Sequence, residues 1–102
     1  MTITITQDGN LWNAAIQGRL DTNTSGKAQE ELAPLMNVHD GEIAVDCSEL
    51  EYTSSQGLRL FLMLQKNAMA NGNTLVLNNM RPQVKEVFDI TGFSNIIRIT
   101  VL

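Results

Sequence analysis

One stretch of the sequence, residues 46–64, reads DCSELEYTSSQGLRLFLML and decides the fold. It follows an apolar run typical of a strand, passes through a polar segment, and ends in an apolar series too short to span a membrane. This order predicts a strand, a loop and a helix. The hydroxyl groups of Thr53, Ser54 and Ser55 can accept hydrogen bonds from the first free backbone N–H groups, so we expect the helix to begin there. Gly57 would let another part of the chain approach the helix closely.

The predicted helix has two different faces. A period of 3.6 residues places one set on the expected core side, namely Gly57, Leu60, Phe61, Leu64 and Ala68. It places a second set on the expected solvent side, namely Arg59, Met63, Lys66 and Ala70. Met63 is an apolar residue on the solvent side, between two cations. It is either a scattered surface methionine or a contact for a partner.

The chain before this stretch predicts a hairpin, a helix and a strand. Alternating apolar residues at 3–5, turn residues at 8–10 and an apolar run at 11–16 predict two antiparallel strands. Several hydroxyl and amide residues then precede a helical pattern of apolar residues, namely Ala28, Leu32, Leu35 and Met36. Pro34 lies within this helix and predicts a kink or an early end near Ala33, because proline cannot donate to the Glu30 carbonyl. A short apolar strand, 42–46, follows.

The chain after this stretch repeats the alternation of strand and helix. An Asn-Gly-Asn segment at 71–73 should end the second helix, and 74–77 is the next strand. Pro82 suits the first turn of a third helix that stops at Gly92, and 96–101 closes as the last strand. The elements run β-β-α-β-α-β-α-β. We therefore predict one small α/β domain over the whole chain, with helices packed on a mixed sheet.

Composition narrows the classes of function. The 102 residues with 43% hydrophobic content suit one domain with one core. Eleven acidic against seven basic residues give a net charge of −4, which does not favour nucleic-acid binding. The single cysteine cannot form an internal disulfide, and the first residues alternate like a strand without the basic segment of a signal peptide. We expect a cytoplasmic protein that does not insert into a membrane.

The sequence offers no catalytic site. Ser54 or Ser55 on a strand-to-helix turn resembles an esterase nucleophile, but no glycine precedes it in the required pattern and no histidine follows. Cys47 at the end of a strand suits the core, Asp46 suits a loop-stabilising hydrogen-bond acceptor, and the lone His39 suits the surface. We expect no catalytic residue, no metal and no cofactor, and interpret the chain as a binding module.

Three separated motifs resemble one known family. The pattern Asp46-x-Ser48-x-Leu50-x-Tyr52-x-Ser54-Ser55-x-Gly57-Leu58 resembles the central motif of STAS domains, the anti-sigma factor antagonist family. Gly18-Arg19-Leu20-Asp21 is similar to the family's Gly-Glu-Leu-Asp segment, and Pro82-x-Val84-x-x-x-Phe88-x-x-Thr91-Gly92-Phe93 is similar to its C-terminal pattern. The resemblance covers about three quarters of the chain, in order, and implies a STAS-type fold.

The resemblance also implies a phosphorylation site. Aligned on the Gly-Leu pair, Ser55 falls on the family's phosphorylatable serine, and Ser54 is the alternative acceptor. Ser54 stands where an aspartate is usual, Gln56 stands where a second serine is usual, and Arg19 replaces an acidic residue. Ser55 could instead act only as a helix cap.

The resemblance implies bacterial transcription regulation. An unmodified antagonist binds an anti-sigma factor that is also a serine kinase and frees the sigma factor. The kinase phosphorylates and releases the antagonist, and a serine phosphatase resets the cycle. The alternative is a STAS scaffold that is not phosphorylated, as a subunit of a larger regulatory or lipid-transport complex.

The expected partner-binding residues combine this resemblance with the solvent face of the second helix. They are Asp21, Thr22, Asn23, Ser54, Ser55, Gln56, Gly57, Arg59 and Met63. The first three belong to a loop that lies beside the acceptor loop in STAS proteins. They are equally explained as residues that cap the first helix.

Overall fold

The computed structural model describes all residues from Met1 to Leu102 and contains six strands and three α-helices. Along the chain they are β1 (Thr2–Asp8), β2 (Leu11–Leu20), α1 (Ser25–Met36), β3 (Glu42–Asp46), β4 (Leu50–Thr53), α2 (Ser55–Ala70), β5 (Thr74–Met80), α3 (Pro82–Thr91) and β6 (Arg98–Val101). A 3₁₀ turn, Phe93–Asn95, precedes β6. No helix is both long enough and apolar enough to cross a membrane.

The strands form one mixed sheet in the order β1-β2-β3-β5-β6. β1 and β2 are the antiparallel hairpin, whereas β2, β3, β5 and β6 pair in parallel. Successive parallel strands are added in one direction, and right-handed crossovers then place the connecting helices on the same face of the sheet. The predicted fold class, a small α/β domain with a mixed sheet and packed helices, is confirmed.

The core lies between this face of the sheet and the helices. Alternate residues of β3 and β5 are buried, including Ile43, Val45 and Leu77. Phe61 of α2 and Phe88 of α3 are fully buried, with ring centroids 5.4 Å apart and tilted by 55°. Tilted aromatic pairs of this kind contribute about 0.5–1.5 kcal/mol beyond the area they bury. The pair fixes α2 against α3, and so fixes the position of the start of α2.

The polar segment before α2 contains a strand that the sequence analysis did not predict. β4 pairs in parallel with the second half of β2, with a register shift between Gly18 and Arg19. Leu50 and Thr53 are buried while the two residues between them are exposed. This spacing does not alternate over four residues, so periodicity could not reveal the strand.

Several predicted boundaries are wrong by a few residues. α1 does not end near Ala33 but continues past Pro34 to Met36. Proline removes only one backbone bond there, in the last turn of the helix. β2 and β5 run on to Leu20 and Met80, because pairing with neighbouring strands outweighs the turn-like composition of these segments. The last strand begins at Arg98, two residues later than predicted, because the 3₁₀ turn precedes it.

Candidate functional site

Ser54 is the N-cap of α2. Its backbone is extended, with φ −91° and ψ −179°, and its Oγ accepts a hydrogen bond from the Gly57 N–H at 3.4 Å. The Ser54 N–H donates to the Leu20 carbonyl at 2.9 Å, and the Leu58 N–H donates to the Ser54 carbonyl at 2.9 Å. The end of β2 therefore holds the start of α2 in place. The predicted helix start within residues 53–55 is confirmed.

Ser55 is the first residue of α2, and it is exposed. Its hydroxyl donates to the Gln56 side-chain oxygen at 3.2 Å. The backbone N–H groups of Ser55 and Gln56 have no hydrogen-bond acceptor in the structure. Free N–H groups at a helix start carry partial positive charge, which favours an anion nearby. Ser55 is thus an accessible hydroxyl at a position that tolerates negative charge.

The Gln56 side-chain oxygen joins two loops. It accepts hydrogen bonds from the hydroxyls of Thr22 at 3.3 Å, Ser54 at 3.2 Å and Ser55 at 3.2 Å. Thr22 belongs to the segment between β2 and α1, so this side chain connects that segment to the start of α2. Gln56 is one of the two positions where the central motif departs from the family pattern. Here the departure supplies a longer side chain that reaches the neighbouring loop.

The segment before α1 is held mainly by its own hydrogen bonds. The Asp21 carboxylate accepts from the backbone N–H groups of Asn23 at 3.0 Å and Thr24 at 3.2 Å. Thr24 is the N-cap of α1, and its hydroxyl donates to the Arg19 carbonyl at 2.9 Å. Of the three predicted residues in this loop, Thr22 bonds to α2, whereas Asp21 and Asn23 shape the turn. Asn23 and Thr22 are both exposed.

Gly57 is buried and has a packing role. A Cβ added at this position would meet the Thr53 hydroxyl, and it would lie 2.9 Å from Leu20 Cγ and 3.0 Å from the Leu20 carbonyl. The sequence predicts a close approach at Gly57, and in the structure the approaching groups belong to Leu20 and Thr53. The glycine therefore lets α2 sit against the ends of β2 and β4. Gly57 is thus covered by groups of its own chain, and its place among the expected partner contacts stays a prediction.

Arg59 and Met63 line a groove between α1 and α2. The groove has a volume of about 300 Å³ and is lined by Ser25, Gly26, Gln29, Gln56, Arg59, Leu60 and Met63. Met63 is 41% exposed, and Arg59 is exposed without an ion-pair partner. We call this feature the α1–α2 groove. It begins beside Gln56 at the start of α2, so it is continuous with the surface around Ser55.

An aromatic contact beside this surface was missed from the sequence. The Arg19 guanidinium lies 4.3 Å from the centroid of the Tyr52 ring and 3.7 Å from the Asp21 carboxylate. Tyr52 is 40% exposed at the end of β4. The signal was present in the motif, because Arg19 replaces an acidic residue of the family pattern. However, the strand β4 was not predicted from the sequence, and its pairing with β2 is what places Arg19 next to Tyr52.

Asp46, the last residue of β3, and Cys47, which follows it, have structural roles. Burial raises the pKa of the Cys47 thiol to about 12, and the charge of Asp46 adds to the rise. Partial burial alone raises the pKa of Asp46, but hydrogen bonds from the Ser48 N–H at 3.0 Å and the Asn79 amide at 3.3 Å outweigh it and hold that pKa below its ordinary value. Both interpretations from the sequence are confirmed. Cys47 is a core residue, and Asp46 is a hydrogen-bond acceptor that stabilises its loop.

Comparison with known proteins identifies the family. A family model described as "Mlab, STAS domain" matches residues 3–100. The chain is 31% identical over 96 residues to BtrV of Bordetella bronchiseptica, a candidate anti-sigma factor antagonist, covering 94% of this chain and 83% of BtrV. It is 27% identical over 100 residues to the anti-sigma-B factor antagonist of Bacillus subtilis, covering 98% and 91%.

Solved structures agree with this assignment. The phosphorylated form of the Bacillus cell fate determinant SpoIIAA superposes with a TM-score of 0.72 at 16% identity, covering 96% of this chain and 90% of that one. A similarity at this low identity is one of fold. The family model and the relative from Bordetella bronchiseptica each match nearly the whole sequence. The chain therefore belongs to the STAS domain family.

Proposed function

We propose that this protein is an anti-sigma factor antagonist whose binding is switched by phosphorylation of Ser55. The unmodified form binds an anti-sigma factor with serine kinase activity and frees the sigma factor. The kinase then phosphorylates Ser55 and releases the antagonist, and a serine phosphatase restores it. The proposal describes a binding protein in the cytoplasm, not an enzyme. It rests chiefly on the exposed Ser55 hydroxyl at the start of α2.

The geometry favours Ser55 over Ser54 as the acceptor. The Ser54 Oγ accepts from the Gly57 N–H and caps the helix, and Ser54 is less exposed than Ser55. The Ser54 hydroxyl is therefore already engaged with the helix backbone and is less accessible to a kinase. The Ser55 hydroxyl makes only one bond, to the adjacent Gln56. Its modification leaves the cap intact.

A phosphate on Ser55 should not unfold the domain. It adds about −1.5 to −2 charges at neutral pH. At the start of a helix a negative charge is favoured by about 0.3–1 kcal/mol. The modified protein therefore keeps its fold, and the change acts on the surface.

The same phosphate should strongly affect docking. If the surface around Ser55 and the α1–α2 groove is covered by a partner, the phosphate must lose water or find a cation there. An unpaired buried charge costs several kcal/mol, and each 1.4 kcal/mol is a factor of about ten in affinity. Binding is thus the property that phosphorylation changes.

The first experiment finds the partner and maps the label. Ser55→Ala and Ser55→Asp forms are used as bait in native lysate, and the captured kinase is then incubated with the unmodified protein and ATP. Phosphopeptide mapping should place the label on Ser55. The label should persist in Ser54→Ala and disappear in Ser55→Ala. A label confined to Ser54, or no label at all, overturns the proposal.

A second candidate function is a STAS subunit that works without phosphorylation inside a larger complex. Five large apolar residues away from the start of α2 are strongly exposed, namely Met69, Ile90, Ile96, Val101 and Leu102. The matching family model is described as "Mlab, STAS domain", a description that does not mention sigma-factor regulation. Such a subunit would keep its partner affinity in the Ser55→Asp form, whereas an antagonist would lose it. The same pair of baits therefore separates the two functions.

A further inference from the structure

The basic residues of α2 stand out in an acidic protein. The chain carries 11 acidic and seven basic residues, yet α2 contains Arg59 and Lys66 and no aspartate or glutamate. Arg59 is exposed in the second turn of the helix and takes part in none of the ion pairs of the structure. Its guanidinium is therefore available to an anion that arrives beside it.

Ser55 and Arg59 are four residues apart on the same helix. Side chains at this spacing are neighbours on one face, with Cβ atoms about 5–6 Å apart, and the favourable order places the anion before the cation. Guanidinium groups also bind phosphate through two parallel hydrogen bonds, which makes them stronger ligands than a point charge. A phosphate on Ser55 would thus lie within reach of an unpaired guanidinium on the following turn.

We propose that Arg59 is the internal ligand of the phosphate on Ser55, and that this ion pair draws the guanidinium out of the α1–α2 groove. This inference rests on the phosphorylation of Ser55 in the proposed function. It explains how phosphorylation would weaken binding of the partner. In the unmodified protein Arg59 lines the groove with Met63. A partner segment that fits the groove would place a carboxylate against Arg59 and an apolar side chain against Met63. The phosphate supplies the same negative charge from within the chain and competes for the cation.

Other charges near the start of α2 do not replace Arg59. Asp21 lies on the loop that contacts Gln56, and its charge is negative like that of the phosphate. Its carboxylate accepts hydrogen bonds from the Asn23 and Thr24 N–H groups. Arg19 lies 3.7 Å from the Asp21 carboxylate and against the Tyr52 ring. Lys66 lies about 16 Å further along the helix axis than Ser55, given a rise of about 1.5 Å per residue.

The test measures the ionisation of the phosphate itself. Phosphoserine is incorporated biosynthetically at position 55 of the full chain, and its second pKa is followed by phosphorus NMR. The ordinary value is about 6. We expect a lower pKa in the otherwise unchanged protein. Arg59→Gln should raise this pKa by about 0.5 unit and Arg59→Lys by less, because lysine keeps the charge but loses the paired bonds. Lys66→Gln is the matched control and should leave it unchanged.

Two results would overturn the inference. One is a phosphate pKa that stays within about 0.1 unit after Arg59→Gln. The other is an equal shift in Lys66→Gln, which would indicate a general field of the helix and not a specific pair. Because the phosphate is installed without a kinase, neither result depends on the proposed function. A kinase that fails to label Ser55 would count against that function and leave this measurement intact.

Discussion

The Thr22 hydroxyl donates to the side-chain oxygen of Gln56, 34 residues further along the chain, at 3.3 Å. This contact connects the segment before α1 to the start of α2, and Gln56 also accepts from Ser54 and Ser55. Ser55 and the neighbouring loop are therefore parts of one hydrogen-bonded surface. A substitution in the segment before α1 should therefore alter the hydrogen bonding at the start of α2, and the reverse should also hold.

Thr22→Val should loosen the segment before α1 with little loss of overall stability. The variant removes one exposed hydrogen bond, and Gln56 keeps two hydroxyl donors, so the free energy of unfolding should fall by no more than about 1 kcal/mol. Amide hydrogen exchange over residues 22–24 should become faster. Thr6→Val, at an exposed position of β1, is the matched control and should leave these amides unchanged. Equal exchange rates in the two variants would mean that the Gln56 contact does not order the loop.

Ser54→Ala and Ser55→Ala should differ in stability although the residues are adjacent. Ser54 caps α2, so its replacement should lower the free energy of unfolding by about 1 kcal/mol. Ser55 is an exposed first-turn residue, so its replacement should change that energy by less than about 0.5 kcal/mol. Urea denaturation of both variants checks the difference. If Ser55→Ala were the more destabilised, the assignment of the cap would be reversed.

Gly57→Ala should be strongly destabilising. The new methyl would meet Thr53 and Leu20, and overpacking of this kind costs about 1–3 kcal/mol. Gly26→Ala is the matched control, because a Cβ there meets nothing and the position lies in α1. It should stabilise the protein by about 0.5–1 kcal/mol, since alanine has fewer unfolded conformations than glycine. Opposite signs for the two changes in a denaturation experiment would support the close packing of α2 on β2. Two changes of the same sign would contradict it.

The sequence predicts the long helices and strands correctly. It does not predict segments that are strands only because they pair with a neighbouring strand. The period of α2 was correct at every position named, because its apolar residues repeat over four turns. β4 and the end of β5 were not predicted, since Leu50–Thr53 is short and Asn78-Asn79 resembles a turn. Both are strands because neighbouring strands offer backbone groups beside them: β2 beside β4, and β3 and β6 beside the end of β5. The same limit applies at the site, where the motif located Ser55 but not the contact between Thr22 and Gln56.

Cys47 should be unreactive in the folded protein. With a pKa of about 12, only about one thiol in ten thousand is ionised at pH 8, and the side chain is fully buried. Labelling by a disulfide reagent should be at least about 100-fold slower than in denaturant. The double variant Cys47→Ala, Ala33→Cys carries an exposed thiol and should label quickly in the folded state. Rapid labelling of Cys47 without denaturant would show that β3 opens readily.

The raised thiol pKa also has a consequence at high pH. The folded value, about 12, lies above the reference value of 9.0, so the unfolded chain releases the thiol proton first. The contribution to stability is therefore fully present below pH 9 and is lost as the pH rises toward 12. Denaturation midpoints measured across this range should fall. The decline should be smaller in Cys47→Ala, which has no thiol to ionise.

Met63→Asp should weaken binding without unfolding the domain. The side chain is 41% exposed in the α1–α2 groove, so the free energy of unfolding should change by less than about 0.5 kcal/mol. A charge placed in an apolar contact should lower affinity for the captured anti-sigma factor by at least about tenfold, measured by calorimetry. Met69→Asp is the matched control, because Met69 is 69% exposed on the same helix but does not line the groove. If both variants lost affinity equally, net charge and not the groove would explain the loss. If neither did, the partner would bind elsewhere on the domain.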